Sequence, residues 1–340
     1  MASDGKVRIG VIGAGRIGKI HIENLVYRVP DATVVAVADV DVENTKKWAA
    51  KYGITKVLAE PKELINDPKI DGVVICSPTD THAEYVIEAA RAGKQIFCEK
   101  PIAQKLDATK QALTAVEEAG VKLQIGFNRR FDANFKAIRQ LVESGKIGEP
   151  HLVNITSRDP APPPLDYVKV SGGIFMDMTI HDFDMARYLT GSDVVEVYAV
   201  GKVLIDPAIK EAGDFDTAVT ILKFANGAVC TIDNSRQAVY GYDQRVEVFG
   251  SKGAAAAQNE TATKVTISSE SGVVSDKPLY FFLERYMESF AAEMHDFVAC
   301  IKNDTTPPVT GEDGLQSLLI AMAATKSAKE NRPVKLAEIG

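Results

Sequence analysis

The segment GGIFMDMTIHDFDMARYL places one imidazole, His181, among three carboxylates, Asp177, Asp182 and Asp184, in otherwise apolar sequence. At helical spacing Asp177, His181 and Asp184 fall at i, i+4 and i+7, so these three would share one helix face while Asp182 points elsewhere. Three readings fit the set: a divalent metal held by an imidazole and carboxylates, an imidazole oriented by a carboxylate to move a proton near neutral pH, or charges at a helix end. No second histidine or cysteine stands at conventional ligand spacing, so the metal is the weakest of the three and none is expected. Choosing between the others requires the elements that position these residues.

The first third of the chain reads as a nucleotide cradle. KVRIGVIGAGRIGKIHIENLV is a β-branched strand, a glycine turn and a helix, with Gly13, Gly15 and Gly18 in G-x-G-x-x-G spacing and Arg16 and Ile17 between the last two glycines. Such a turn lets pyrophosphate approach the backbone, and the helix N-terminus offers it N–H donors. A second strand, TVVAVADV, ends at Asp39, whose carboxylate can accept from adenosine ribose hydroxyls and would repel a 2′-phosphate. NAD is therefore expected over NADP, with Arg16 partly offsetting the repulsion.

Strands and helices then alternate through GVVICS, HAEYVIEAARAG, QIFCEKP, ATKQALTAVEEAG and KLQIGF, which implies a doubly wound parallel sheet with ligands beyond the carboxyl ends of its strands. Three polar clusters fall at such ends. They are SPTDTH, with Ser77, Thr79 and His82; EKP, with Glu99 and Lys100; and NRR, with Asn128 and Arg129. Lys100 should project from the sheet edge as an ammonium, although many strand-end lysines are plain surface charges. His82 stands where a helix begins and can cap or pack there, as can Asp80.

After Phe127 the alternation stops, and the domain boundary is placed near Gly126, giving a Rossmann domain over 1–126 and a second domain over 127–340. The second is expected to be α+β: a helix over FDANFKAIRQLVESG, a strand HLVNITSRD, a proline-rich loop PAPPPLDY, the helix of the opening motif, then an open, largely antiparallel sheet from about Val194. ANG at Ala225 to Gly227 marks a hairpin turn. Two helices close the chain, and the far face of the sheet is the candidate for oligomer contacts.

Composition excludes other classes. A formal net charge of −7 gives no basic footprint for nucleic acid, and 46% hydrophobic with 25% charged residues is ordinary for a globular protein. Cys76, Cys98, Cys230 and Cys300 are scattered, without a CxxC pair or disulfide framework, and read as reduced thiols. MASDGKVRIGVIGAG lacks the basic start and apolar core of a secretory leader, and no run approaches membrane-spanning length, so a cytoplasmic protein without a membrane partner is expected.

Taken in order, GVIGAGRIG, EKP, GFNRRFD and GGIFMDMTIHDFDMARYL resemble the glucose–fructose oxidoreductase / inositol dehydrogenase / MocA family, with SRDPAPPPLDY and YGYD especially similar to its inositol 2-dehydrogenase branch. The resemblance implies a Rossmann domain, a C-terminal domain whose open sheet serves assembly into tetramers, NAD as cofactor and a cyclic polyol as substrate. It implies Lys100, Asp177 and His181 as the catalytic set. Substrate contacts would fall on Lys100, Asn128, Arg129, Asp159, Asp177, His181, Asp184 and Tyr242. Cofactor contacts would fall on the glycine turn, Asp39, Ser77, Thr79, His82, Glu99, Lys100 and Asn128.

Oxidising a secondary alcohol needs a base at the hydroxyl and a stabiliser of its developing charge, roles that His181, oriented by Asp177, and Lys100 can fill. Two alternatives stay open: an NADP-linked sugar or aldose dehydrogenase of the same family, which Asp39 argues against, and an NAD(P)-binding ligand sensor without turnover. A sensor would be expected to lose part of the lysine, aspartate and histidine set, which is complete here.

Overall fold

The computed structural model describes residues 5–340; residues 1–4, at the head of the stretch read for a leader, lie outside the described residues. Two compact units emerge, one of Met1–Phe131 with Glu288–Gln316 and one of Asp132–Met287 with Ser317–Gly340.

In the first unit six short apolar runs form β1 (Val7–Ile12), β2 (Ala32–Ala38), β3 (Val57–Leu58), β4 (Gly72–Ile75), β5 (Gln95–Cys98) and β6 (Leu123–Ile125). All pair in parallel, in the order β3-β2-β1-β4-β5-β6. Parallel strands buried on both faces are continuous apolar runs, and Val7, Ile9, Val11, Val73, Val74 and Ile75 have no exposure. The winding reverses direction between β1 and β4, the switch point where such sheets bind ligands. A single boundary near Gly126 misses one return of the chain. Met294, Phe297 and Val298, on the helix Met287–Asn303, join the core cluster of β1 and β2, because that apolar face completes the first unit.

The second unit is built on seven strands. They are β7 (Pro150–Arg158), β8 (Val194–Lys202), β9 (Thr217–Phe224), β10 (Val229–Ser235), β11 (Asp243–Gly250) and β12 (Gly253–Ala257), with β15 (Val334–Lys335) at one edge; β13 (Thr266–Ser269) and β14 (Gly272–Ser275) form a separate hairpin. The order is β12-β11-β7-β10-β9-β8-β15, antiparallel except for β7 against β10. The expected hairpin joins β9 to β10, with Gly227 at φ 91°, the left-handed region its turn requires. Alternate residues of β9 are buried, the pattern of a sheet covered on one face. The helices Ala133–Glu143 and Ile180–Thr190 pack together, the latter also on β7.

The parallel pair has a local consequence. β7 and β10 end side by side, which brings Arg158 and Asp159 next to Ser235 and Arg236; the Asp159 N–H donates to the Ser235 carbonyl at 2.9 Å.

Candidate active site

In the first unit the glycine turn runs from β1 into the helix Arg16–Tyr27. A Cβ at Gly18 would overlap the Gly13 carbonyl, so this glycine exists for helix–turn packing. A Cβ at Gly15 would meet nothing within 4 Å, leaving the helix N-terminus open to an anion. Arg16 is exposed and Ile17 half-buried beside it. Asp39 does more than the sequence suggested: Oδ2 accepts from the Ala14 N–H at 2.6 Å and Oδ1 from the Asp41 N–H at 2.8 Å. The carboxylate thus ties the glycine turn to the end of β2, and each oxygen retains a lone pair for a ribose hydroxyl.

The three strand-end clusters are ordered differently. Ser77 and Thr79 are half-buried where β4 gives way to the helix Thr79–Arg91, whose N-cap is Pro78 and not Asp80. His82 is 2% exposed, with Nδ1 2.8 Å from the Pro101 carbonyl and Nε2 2.8 Å from the Ser77 carbonyl. Both ring nitrogens face backbone carbonyls, so the imidazole bridges the two strand-end loops that carry Ser77 and Pro101. Glu99 and Lys100 follow β5 half-buried, and the Lys100–Pro101 peptide is cis. Oε1 of Glu99 lies 2.7 Å from Nε2 of His21. Asn128 and Arg129, each 5% exposed, occupy a 3-10 turn after β6, where Arg130 pairs with Asp313 at 2.8 Å.

In the second unit the opening motif does not form one continuous helix. A short helix Ile174–Asp177 stops, and a second, Ile180–Thr190, begins after Thr179. At the junction the Thr179 N–H reaches back five residues to the Ile174 carbonyl, 2.9 Å, while the Thr179 hydroxyl donates to Asn234 on β10, 2.9 Å. The i, i+4, i+7 register expected across Asp177, His181 and Asp184 is therefore broken between the first residue and the other two.

Asp177 is held instead by groups the spacing did not reveal. Its Oδ1 accepts from the Tyr167 hydroxyl at 2.7 Å, and its Oδ2 lies 3.3 Å from the Arg236 guanidinium. Arg236, 1% exposed, also faces Asp214 at 3.4 Å, so one buried cation serves two carboxylates. Burial, and then the neighbouring Asp177 charge, push the Tyr167 phenol above its usual range. The Tyr167 ring itself stays half-exposed. Tyr167 lies in the proline-rich segment, the one signal that would have drawn attention to it.

His181 is half-buried at the start of its helix and Asp184 is 1% exposed. Asp182, expected to point away from the face of the other three, has no exposure and accepts from the Asn234 side-chain amide at 2.8 Å. Together Thr179, Asp182 and Asn234 pin the helix start to β10, fixing where His181 sits. Asp159 is half-buried at the end of β7. Tyr242 is 6% exposed, its ring edge-to-face with Phe281 and Tyr286 at 5.7 and 6.0 Å. Its neighbour Asp243 resists the upward push of burial through hydrogen bonds from Arg245, Tyr240 and Asn259, which hold its carboxyl below the usual range.

Residues 7–127 match the family described as "Oxidoreductase family, NAD-binding Rossmann fold", and residues 139–336 match "Oxidoreductase family, C-terminal alpha/beta domain". The chain is 54% identical over 96% of its length to an uncharacterized oxidoreductase of Bacillus subtilis, YrbE, covering 96% of that protein. It is 53% identical over 98% of its length to the myo-inositol 2-dehydrogenase of Thermotoga maritima, covering 99% of that protein. The crystal structure of scyllo-inositol dehydrogenase from Lactobacillus casei with bound NAD(H) and scyllo-inositol is similar at a TM-score of 0.91 and 32% identity, over 98% of this chain and 99% of that one.

Proposed function

Because the chain belongs to the glucose–fructose oxidoreductase / inositol dehydrogenase / MocA family of NAD-binding oxidoreductases, we propose that it oxidises one secondary hydroxyl of a cyclic polyol, myo-inositol or a close isomer, to the ketone. The observation that carries this reading is the carboxylate of Asp177, fixed by Tyr167 and Arg236, next in sequence to a helix start that presents His181. Relatives named for inositol oxidation, matched over nearly the whole chain, support the choice of substrate.

NAD, when bound, supplies the hydride acceptor. The Gly15 end of the helix Arg16–Tyr27 would hold its pyrophosphate and Asp39 its adenosine ribose; Ser77, Thr79, Glu99 and Asn128 are assigned to the rest of the cofactor. His181 takes the hydroxyl proton, since an unperturbed imidazole has a pKa of about 6.5 and accepts a proton at neutrality. Asp177 orients the ring and balances the imidazolium. Lys100 donates to the reacting oxygen and stabilises its negative charge. Arg129, Asp159, Asp184 and Tyr242 are assigned to the remaining hydroxyls, whose many donors and acceptors suit charged and phenolic partners.

The uncovered face of the second sheet is assigned to homotetramer formation. Across it Leu152 opposes Phe249 and Val200 opposes Val219, each between 38% and 49% exposed. Cys76, Cys98, Cys230 and Cys300 are all free, which suits a reducing, cytoplasmic setting. Among the described residues no helix is long and apolar enough to cross a membrane. The reading is tested by product analysis: with NAD and whichever of myo-, scyllo- and chiro-inositol turns over, one equivalent of ketone should form per NADH, and NADH without a ketone, or no NADH with any of the three, would refute it.

A further inference from the structure

Burying an ionisable side chain costs free energy that an apolar residue of the same size avoids. The first unit nevertheless seats His21, on the helix Arg16–Tyr27, and Glu293, on the helix Met287–Asn303, with no exposure. Both meet Glu99 at the end of β5. Nε2 of His21 lies 2.7 Å from Oε1 of Glu99 and 3.8 Å from Oε1 of Glu293. Phe97 and Phe290 stand edge-to-face against the imidazole at 5.1 and 5.8 Å. Gly126 makes room for the Glu99 carboxyl, since a Cβ there would sit 2.9 Å from its Oε2. Neither carboxyl oxygen of Glu293 has a hydrogen-bond partner among the described residues.

Crowding decides the charges. One imidazole cannot balance two carboxylates in a site closed to water. Glu99 keeps contact with solvent, its side chain 14% exposed, and lies within hydrogen-bond distance of His21. Glu293 is pushed well above the usual carboxylate range by its burial and by the charge of Glu99. The titratable groups facing Glu293 are Glu99, His21 and the Cys76 thiol, itself raised by burial and by Glu99.

We propose that His21 and Glu293 are positioning residues for NAD: His21 donates Nε2–H to Glu99, Glu293 stands behind them as a neutral acid, and together they hold Glu99 as a single oriented carboxylate at the cofactor edge of β5. This rests on the reading that Glu99 meets the cofactor. Donor atoms of the three residues lie within 4.8 Å of one another, a spacing that a divalent ion also tolerates. The 2.7 Å contact is a hydrogen bond, and an ion would require both carboxylates ionised in the closed site.

The test compares His21→Phe with His21→Gln in the full chain, with affinities for NAD and for ADP measured by titration calorimetry. Phenylalanine keeps the ring volume between Phe97 and Phe290 without the donor, whereas glutamine keeps an N–H at similar reach without the ring. Losing a hydrogen bond to an ion should weaken NAD at least about tenfold in His21→Phe, while His21→Gln stays within about threefold and ADP within about twofold in both. The reverse order, phenylalanine tolerated and glutamine harmful, is the signature of packing alone and overturns the proposal. A carboxyl with a raised folded pKa stabilises the fold below the ordinary carboxylate range and loses that contribution as pH rises above it. Glu293→Gln should therefore gain Tm relative to the unmodified chain between about pH 5 and about pH 8. A pH-independent Tm difference, or a stoichiometric divalent ion in the purified protein, overturns the neutral acid. If Glu99→Gln leaves NAD affinity unchanged, it is the reading of Glu99 as a cofactor contact that fails. If Glu99→Gln weakens NAD and His21→Phe does not, the inference about His21 and Glu293 fails alone.

Discussion

Replacing Asp39 separates two roles that the structure joins in one carboxylate. Its oxygens accept the Ala14 and Asp41 N–H groups at 2.6 and 2.8 Å, and its charge would face any 2′-phosphate on the adenosine ribose. Two unit charges about 4 Å apart repel by about 1 kcal/mol in water and about 4 kcal/mol at an effective dielectric of about 20. Asp39 is half-buried, and the exposed Arg16 offsets part of the field, so a discrimination of about 1–3 kcal/mol is expected. That corresponds to about five- to 150-fold in the ratio of kcat/KM for NAD over NADP. Asp39→Ala removes charge and acceptors together, whereas Asp39→Asn removes the charge and keeps one carbonyl-type oxygen for the glycine turn. Both should lose the cofactor preference by similar factors, and Asp39→Ala should in addition lower Tm by an amount equivalent to about 1 kcal/mol. The assay is initial rate against each cofactor at fixed ionic strength, with thermal melts alongside. An unchanged cofactor ratio in both variants would refute the electrostatic argument; a change in Asp39→Ala alone would assign selectivity to the shape of the turn.

His181→Ala should lower kcat by about a hundredfold or more and leave NAD affinity, measured by titration, nearly unchanged; an equally active variant would remove His181 from the chemistry. Arg236→Met leaves Asp177 and Asp214 without their shared cation, so the fold should lose about 3–5 kcal/mol in denaturant titration, and a loss below about 1 kcal/mol would show the guanidinium to be dispensable. The glycine turn offers a paired test: Gly15→Val should weaken NAD with little change in Tm, and Gly18→Ala should lower Tm because its Cβ meets the Gly13 carbonyl. If both variants melt alike, the two glycines do not divide anion access from packing as argued.

The parallel sheet and glycine turn were legible because buried strands are runs of Val and Ile and because only closely spaced glycines permit such a turn. The open sheet of the second unit was readable from alternating strands and the ANG turn. Long-range pairings were not. Periodicity predicted a continuous helix through Asp177 and His181, but Thr179 finds Asn234 on β10, 55 positions away in sequence, and the helix breaks to let it. Arg236 lies 59 positions from the Asp177 it holds, and Glu293 reaches the first unit from the far end of the chain, so no local pattern could expose either. Nor could a local pattern show that His82 faces the Pro101 and Ser77 carbonyls, or that Asp182 meets Asn234 on β10.

The central claim is polyol oxidation coupled to NAD, and it is tested most directly by NADH formation from a panel of myo-, scyllo- and chiro-inositol and glucose, each with NAD and with NADP. The account predicts turnover with at least one inositol, faster with NAD than with NADP and faster than with glucose. No turnover with any member of the panel, in a protein that still binds NAD, would contradict it and favour a ligand sensor.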